Sequence, residues 1–251
     1  MNFWTRASIK LRLLTPKFFF GPLFSDFLLD HIKPFVYFDR WHIQPFNGQA
    51  QRMSTISKIC RDFSPNVGIE TGTYLGSSTP YLAAMVSEEM YTIEIDPSVG
   101  ARADERFKKN HPNSQIHLQI GDSVSEIVKI LGRVDPKSKR VVAYLDAHWY
   151  EAVPTTKEIE ALINWGGSWI AIIDDFKVDA DPLYKFDVYG SIEIGPSILP
   201  RNSEISLYVT NQPANRETGR RKGTGYVCTS KSEFVLEGLT ELVKIPLTPL
   251  C

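Results

Sequence analysis

The chain has 251 residues and a formal net charge of −1 at pH 7; 43% of its residues are hydrophobic and 23% are charged. This size and composition are typical of one globular α/β domain with a sizeable core, and they exclude a disordered chain. The near-zero charge excludes a globally basic nucleic-acid-binding protein. The cysteines Cys60, Cys228 and Cys251 lack metal-type spacing, and their odd number argues against a disulfide framework and for a reducing, cytoplasmic location.

Residues 1–50 differ in texture from the rest of the chain, because apolar clusters alternate there with basic residues such as Lys10 and Arg12. We interpret 1–50 as a helical extension and 51–251 as the main domain. No stretch reaches the roughly 20 uninterrupted apolar residues that a spanning helix needs, so no transmembrane span is predicted. The extension is predicted to cover the functional crevice or to contact another subunit of a homo-oligomer; peripheral contact with a membrane surface is the alternative.

Residues 66–70 (Asn-Val-Gly-Ile-Glu) predict a β-strand, and residues 71–76 (Thr-Gly-Thr-Tyr-Leu-Gly) predict a tight turn after it. Gly72 and Gly76 would permit this turn and the close approach of a ligand to the backbone. The hydroxyl residues 77–79 then open a helix, since serine and threonine are favoured at helix N-termini. The segment therefore predicts a strand, a glycine turn and a helix in succession.

A second strand, residues 90–96 (Met-Tyr-Thr-Ile-Glu-Ile-Asp), ends in Glu94 and Asp96. A carboxylate at this place can accept hydrogen bonds from both hydroxyls of a ribose. The glycine spacing is Gly-x-x-x-Gly rather than the Gly-x-Gly-x-x-Gly of dinucleotide-binding proteins, and no helix N-terminus is prepared for a pyrophosphate. Together these features predict a nucleoside ligand that lacks phosphates.

Residues 141–145 and 169–173 are continuous apolar runs, the pattern of parallel strands that are buried on both faces. Asp146 follows the first run, and Asp174 and Asp175 follow the second. If the strands are neighbours about 4.8 Å apart, the three carboxylates meet at the sheet edge where ligands bind in α/β proteins. A hard divalent cation bound through oxygen would relieve their repulsion. The alternative interpretation is a set of helix-capping or solvated loop acids.

The last third of the chain predicts a helix and two further strands. The helix, residues 158–164, ends at the glycines 166–167, and the strands are residues 205–210 and 225–230. The loop 215–223 between the strands is rich in arginine and lysine and too long for a tight hairpin. We consider two interpretations of this basic loop, a solvated turn and a lid that meets an anionic or polar acceptor.

Taken together, these segments resemble class I S-adenosylmethionine-dependent methyltransferases over roughly residues 60–180. Residues 70–76 look like motif I of these enzymes, residues 91–96 like the acidic strand-2 motif, and Gly-Asp-Ser at 121–123 like the segment that borders the adenine. Leu-Asp-Ala-His-Trp at 145–149 and Ile-Asp-Asp at 173–175 resemble the metal motif of cation-dependent O-methyltransferases, in particular the macrocin and aminocoumarin sugar O-methyltransferase group.

The resemblance implies a fold, a cofactor and a metal site. The expected fold is a doubly wound, mostly parallel, seven-stranded sheet with an antiparallel C-terminal pair and an N-terminal helical extension. The expected metal ligands for Mg²⁺ or another hard divalent cation are Asp146, Asp174 and Asp175. The residues expected to bind S-adenosylmethionine are Glu70, Gly72, Tyr74, Gly76, Ser77, Ser78, Glu94, Asp96, Asp122, Ser123 and Asp146.

His148 and Asp146 are the predicted catalytic residues. Several relatives carry an acid that serves as general base two residues after the first metal aspartate, whereas this chain has His148 there. A histidine can take a proton near neutral pH, which makes His148 a chemically suitable base. The alternative is a structural histidine that is hydrogen-bonded beneath the site.

The sequence thus predicts a divalent-cation-dependent O-methyltransferase that acts on a hydroxyl of a sugar, a glycan or another small polyhydroxylated acceptor. Two alternatives stay open at this stage. One is a metal-dependent glycosyltransferase that uses Asp146 and His148 as an Asp-x-His motif. The other is a non-catalytic scaffold or glycan-binding domain. Partners are expected to be the small-molecule or glycan acceptor, without nucleic acid.

Overall fold

A computed structural model of the chain describes residues 44–148, 153–201 and 204–247. The N-terminal extension predicted over residues 1–50 lies almost entirely outside the described residues, as do its predicted contacts with a membrane or a second subunit. The domain boundary after residue 50 therefore stays a prediction. In the part of the chain that is described, no helix combines the length and the apolar character that crossing a membrane requires.

A central sheet organises the fold. Its strands are β1 Val67–Thr71, β2 Glu89–Glu94, β3 Ile116–Ile120, β4 Arg140–Leu145, β5 Ser168–Ile173, β8 Ile205–Thr210, β9 Gly225–Thr229 and β10 Leu242–Ile245. They lie in the order β10-β8-β9-β5-β4-β1-β2-β3. Strands β1 to β5 pair in parallel, whereas β9, β8 and β10 join the sheet antiparallel to their neighbours. A separate antiparallel hairpin consists of β6 Val188–Tyr189 and β7 Ile192–Glu193.

Helices link these strands. They are α1 Ala50–Phe63, α2 Thr79–Ala83, α3 Pro97–Asn110, α4 Ser123–Leu131, α5 Thr155–Trp165 and α6 Glu233–Glu237. Short 3-10 turns lie at Pro45–Gly48, Pro196–Ile198 and Ala214–Arg216.

The core lies on both faces of the sheet because successive strand residues point to opposite sides. In β5, Ala171 and Ile173 belong to the cluster that includes Leu162 of α5. Ile172 belongs to the other cluster, which includes Ile56 of α1. Strands β4 and β5 therefore bury both of their faces, as the continuous apolar runs predicted.

The α/β fold with a parallel core and an antiparallel C-terminal part confirms the expectation from the sequence. The strand count differs, because β10 pairs with β8 and makes eight strands instead of seven. Strand β1 lies between β2 and β4, so the strand order reverses at this point of the sheet. Ligands bind at such a reversal, outside the carboxyl ends of the strands. The fold therefore directs attention to the residues after β1, β2, β4 and β5.

Candidate active site

The turn after β1 packs directly against the end of β4. Gly72, Tyr74 and Gly76 have positive φ angles of 83°, 48° and 67°. A Cβ atom added at Gly72 would lie 2.2 Å from the carbonyl oxygen of Asp146. A glycine is required there by both the backbone conformation and the space. The predicted glycine turn is thus present, and it brings the β1 end and the β4 end into contact.

Glu94, at the end of β2, holds this turn from the other side. The buried Glu94 carboxylate accepts hydrogen bonds from the backbone N–H of Tyr74 at 2.7 Å and from that of Asp96 at 3.0 Å. Each carboxylate oxygen can accept more than one hydrogen bond. Glu94 therefore keeps acceptor capacity for ligand hydroxyls while its position is fixed.

Asp96 and Asp122 are helix N-caps in this structure. One oxygen of Asp96 accepts bonds from the N–H groups of Ser98 and Val99 at the start of α3, and the Ser98 contacts lower the pKa of Asp96. One oxygen of Asp122 accepts the N–H of Ser125 at 2.9 Å at the start of α4. The sequence assigned both residues to the cofactor; the structure shows a capping role for each, and cofactor contact stays a prediction.

Glu70 braces the glycine turn from below. Its buried carboxylate accepts hydrogen bonds from the hydroxyls of Thr79 at 2.5 Å and Thr92 at 2.7 Å. Burial, partly offset by these hydroxyls, raises the pKa of Glu70 to about 7. Glu70 thus joins β1 to β2 and to α2, a role that the sequence did not indicate.

The remaining residues assigned to the cofactor lie around the same turn. Ser78 accepts a hydrogen bond from the backbone N–H of Phe46 at 3.1 Å, and Ser77 accepts one from Arg106 at 3.4 Å. Tyr74 is 38% exposed, and Ser123 is buried at the first residue of α4.

Asp146, His148 and Asp175 form a compact group at the carboxyl edge of the sheet. One ligand atom from each residue lies within 4.8 Å of the others. Nε2 of His148 is 3.7 Å from Oδ1 of Asp146 and 4.0 Å from Oδ2 of Asp175. Among the described residues, neither ring nitrogen of the buried His148 has a hydrogen-bond partner.

The charges of this group favour a cation. Burial and the charge of Asp174 raise the pKa values of Asp146 and Asp175, while burial lowers the pKa of His148, which favours the neutral imidazole. A neutral imidazole beside two crowded carboxylates is a suitable set of metal ligands. An unpartnered buried nitrogen is costly in a protein interior, so the residues present fit a divalent ion.

Asp174 lies outside this group, which differs from the sequence-based prediction. Its carboxylate forms a buried ion pair with Arg52 and accepts hydrogen bonds from the Tyr144 hydroxyl at 2.7 Å and from Asn47 at 2.9 Å. Burial by itself raises the pKa of Asp174, but the nearby Arg52 guanidinium outweighs burial and the pKa is lowered. The physical reason is strand alternation: Asp174 continues the face of Ile172, which points toward α1.

Comparison with known proteins identifies the family. Residues 33–193, well over half of the chain, match the sequence model of the rhamnosyl O-methyltransferase/CmcI family. The chain belongs to this family. It is an S-adenosylmethionine-dependent O-methyltransferase of class I, as the resemblance of its motifs implied. A search among curated proteins by sequence finds no match.

Solved structures show the same fold at low sequence identity. The O-methyltransferase TomG from Streptomyces achromogenes, involved in tomaymycin synthesis and solved with S-adenosylmethionine, is 14% identical, with a TM-score of 0.55 over 90% of this chain and 96% of TomG. An O-methyltransferase from Bacillus cereus in complex with S-adenosylhomocysteine is 11% identical, with a TM-score of 0.58 over 90% of this chain and 98% of that protein. These likenesses support the class I O-methyltransferase fold of the rhamnosyl O-methyltransferase/CmcI family member described here.

Three residues beside the site of this family member were missed by sequence reasoning, namely Lys222, Asp187 and Tyr189. Nζ of the buried Lys222 donates to Oδ2 of Asp175 at 2.9 Å and also contacts Asp187. The hydroxyl oxygen of Tyr189 lies 3.0 Å from a carboxylate oxygen of Asp187 and 3.1 Å from the carbonyl oxygen of His148, so both acceptors share its single proton. The richness of residues 215–223 in basic side chains was the one signal that pointed to Lys222.

The basic loop lies against the start of α1, while its residues Arg216 and Arg221 are exposed; its contact with an acceptor stays a prediction. The Glu217 carboxylate accepts the backbone N–H groups of Gln51 at 3.0 Å and Arg52 at 3.1 Å, in the first turn of α1. Gln49 exchanges two hydrogen bonds with the backbone of Lys222, at 2.8 and 2.7 Å. The loop is thus fastened to the start of α1, next to Asp146, His148 and Asp175, which together form the acidic group.

Proposed function

We propose that this enzyme transfers the methyl group of S-adenosylmethionine to a hydroxyl of a sugar or glycan acceptor with the help of a bound divalent cation. The observation that carries the proposal is the His148 imidazole, buried without a hydrogen-bond partner among the described residues and placed within 4.0 Å of two carboxylates. The group lies beside the glycine turn, at the reversal of strand order where α/β folds bind ligands.

The cofactor would be held by the turn after β1 and by Glu94. The backbone of Gly72 to Gly76 offers close approach to the amino-acid end of the cofactor, and Glu94 offers acceptor oxygens to the ribose hydroxyls. Asp122 and Ser123, at the start of α4, would border the adenine, as the resemblance of residues 121–123 implies. The bound cofactor supplies the sulfonium methyl group that is transferred.

The cation would be held by Asp146, Asp175 and His148. A divalent ion in such a site acts as a Lewis acid and as a template that orients a substrate hydroxyl. Carboxylates suit Mg²⁺ and Mn²⁺, and an imidazole ligand adds preference for transition metals. Mn²⁺ satisfies both kinds of ligand, and Mg²⁺ stays a candidate. Asp174 would support this group without contacting the ion.

His148 has two alternative roles that use the same atom. If Nε2 binds the cation, its lone pair is not available for the proton of the acceptor hydroxyl. The position of Nε2 between the two carboxylates favours the ligand role. The role of general base stays a prediction, and the two roles have different consequences for cation affinity.

A sugar acceptor is supported by the name of the matching family and by the polyhydroxylated chemistry that a cation site can orient. The glycosyltransferase alternative has no such support, since the chain belongs to an O-methyltransferase family. A non-catalytic glycan-binding domain would leave the close approach of Gly72 to Asp146 and the acidic group without a purpose.

The test combines binding with transfer. Calorimetry should show binding of S-adenosylhomocysteine, and of Mn²⁺ to the protein saturated with it. Label from methyl-labelled S-adenosylmethionine should pass to a rhamnosyl glycoside, and chelation should abolish the transfer until Mn²⁺ is restored. Transfer that continues after exhaustive chelation would remove the cation from the proposal. Transfer to a simple phenol but to no glycoside would contradict the sugar acceptor of the proposal.

A further inference from the structure

Arg52 of α1 is a buried cation that does not belong to the acidic group but bonds to two of the segments beside it, the end of β5 and the basic loop. Its side chain is 1% exposed. One nitrogen, Nη1, donates to Asp174 and to the Tyr144 hydroxyl, and the other, Nη2, donates to the backbone carbonyls of Lys222 at 2.7 Å and Gly223 at 3.0 Å. The guanidinium therefore joins the end of β5 to the basic loop.

Through Asp174, Arg52 acts on Asp175. Oδ1 of Asp174 is paired with Arg52 and also accepts the backbone N–H of Asp175 at 2.6 Å. Asp175 has a φ angle of 52°, in the left-handed region that residues other than glycine adopt infrequently. In this conformation Oδ2 of Asp175 lies 4.0 Å from Nε2 of His148, in the same group as Asp146.

Through the basic loop, Arg52 acts on Asp175 a second time. The two carbonyls that accept from Arg52 are those of Lys222 and its successor, and the Lys222 ammonium lies 2.9 Å from Oδ2 of Asp175. The backbone of Asp175 and its side chain are thus each held by a partner that is itself held by Arg52.

We propose that Arg52 is a positioning residue for the cation site, which orients Asp175 through Asp174 and Lys222 without contacting the ion. This inference rests on the proposed function, since it assumes a cation at Asp146, His148 and Asp175. The geometry uses the planar, forked guanidinium, because its two terminal nitrogens reach four acceptors on opposite sides, whereas a lysine has three donors on a single nitrogen.

If Asp174 is itself a cation ligand, the expected change in cation affinity has the opposite sign. If Asp174 ligates the ion, as the sequence suggested, Arg52 and Asn47 compete with the ion for its oxygens. Weakening their contacts with Asp174 would then strengthen cation binding. If Asp174 is a support, the same changes weaken cation binding.

The first variant is Arg52→Lys, which keeps the charge and removes the fork. Mn²⁺ affinity should be measured by calorimetry and by electron paramagnetic resonance on protein saturated with S-adenosylhomocysteine. We expect an affinity about 10- to 100-fold weaker than that of the wild type, the usual effect of removing a group that orients a metal ligand. The affinity for S-adenosylhomocysteine should be unchanged. Lys58→Arg is the matched control, because Lys58 lies on the same helix and pairs with Glu241 at 2.6 Å, away from the site.

A second variant keeps the inference testable if Arg52→Lys fails to fold. Asn47→Gly removes the donor to Oδ2 of Asp174 without changing any charge, and glycine accepts the Asn47 φ angle of 60°. Mn²⁺ affinity should again fall. Unchanged or tighter Mn²⁺ binding in a folded variant would overturn the positioning role. If the wild type itself does not bind Mn²⁺, the cation of the proposed function fails instead, so the two failures are distinguishable.

Discussion

The backbone of Gly72 lies so close to the carbonyl oxygen of Asp146 that a Cβ atom at Gly72 would approach that oxygen to 2.2 Å. The turn proposed to hold the cofactor and the first residue proposed to hold the cation therefore share one packing contact. A displacement of either segment displaces the other, which makes Gly72 a sensitive position for both ligands.

We expect Gly72→Ala to weaken binding of S-adenosylhomocysteine at least about tenfold, because the added Cβ would clash with the Asp146 carbonyl oxygen and displace the turn. One buried hydrogen bond to a charged group lost through that displacement would cost about 1.5–3 kcal/mol. Calorimetry measures this loss directly. Gly166→Ala is the matched control, since Gly166 has a similar φ angle of 73° but nothing within 4 Å of the added Cβ. Both variants should lose thermal stability, and cofactor affinity should fall only in Gly72→Ala. Equal affinities in the two folded variants would contradict a ligand-binding role of the turn.

Glu94→Ala should weaken cofactor binding by roughly tenfold or more, since its charge-assisted hydrogen bonds to the ribose would be lost. Asp96→Ala is the informative comparison. Because Asp96 caps α3, we expect Asp96→Ala to unfold at a lower urea concentration than the wild type, with little change in cofactor affinity. A large loss of cofactor affinity in Asp96→Ala would restore the role that the sequence assigned to it.

The variants of His148 separate a metal ligand from a general base. As a ligand, His148→Ala should lose Mn²⁺ affinity, and His148→Asp should retain part of it because a carboxylate can take the same place. As a base, His148→Ala should bind Mn²⁺ normally while turnover falls about 10²–10⁴-fold. Calorimetry with Mn²⁺ and turnover at saturating Mn²⁺ give the two quantities independently. Normal values of both in His148→Ala would leave His148 as a structural residue.

Stability should depend on pH through Glu70. Its pKa is raised to about 7 in the folded protein, from an ordinary value of 4.5. The folded state therefore holds the proton more tightly, and this contribution to stability is fully present below about pH 4.5 and is lost as the pH rises through about 7. In Glu70→Gln the amide oxygen can still accept from Thr79 and Thr92, and the loss of stability between about pH 5 and 8 should be smaller than in the wild type. Calorimetric melting across this range measures the pH dependence of stability. Glu160→Gln, on the exposed side of α5, is the control. A pH profile in Glu70→Gln identical to that of the wild type would contradict the contribution of Glu70.

Much of the fold and part of the site could be predicted from the sequence. The continuous apolar runs before Asp146 and Asp174 fixed two buried parallel strands, and Gly72 and Glu94 marked the turn and the acid beside it. Such features leave a local signature, either a periodic pattern or a residue type that one conformation requires. The strand count was low by one because β10, Leu242–Ile245, shows little apolar alternation.

The choice between Asp174 and Asp175 could not be made from the sequence. Both residues follow the same strand. Which of them lies beside His148 depends on the side chains that contact each face of the sheet. That partner is Arg52, 122 residues earlier in the chain. Lys222 and Asp187 were missed for the same reason, since ion pairs between distant segments leave no periodic trace.

The fastening of the basic loop to the start of α1 has a consequence for folding. Gln49 and Lys222 are 173 residues apart in the chain, and closing so long a loop is slow compared with forming helices or neighbouring strands. Strands β1 to β5 can pair before the basic loop packs against α1. Until it does, Arg52 lacks the carbonyls of Lys222 and Gly223, and Asp175 lacks the Lys222 ammonium. Competence to bind the cation should therefore arise late, after the residues around Glu217 and Lys222 have been synthesised, and a chain interrupted before them would carry the family motifs without an ordered cation site.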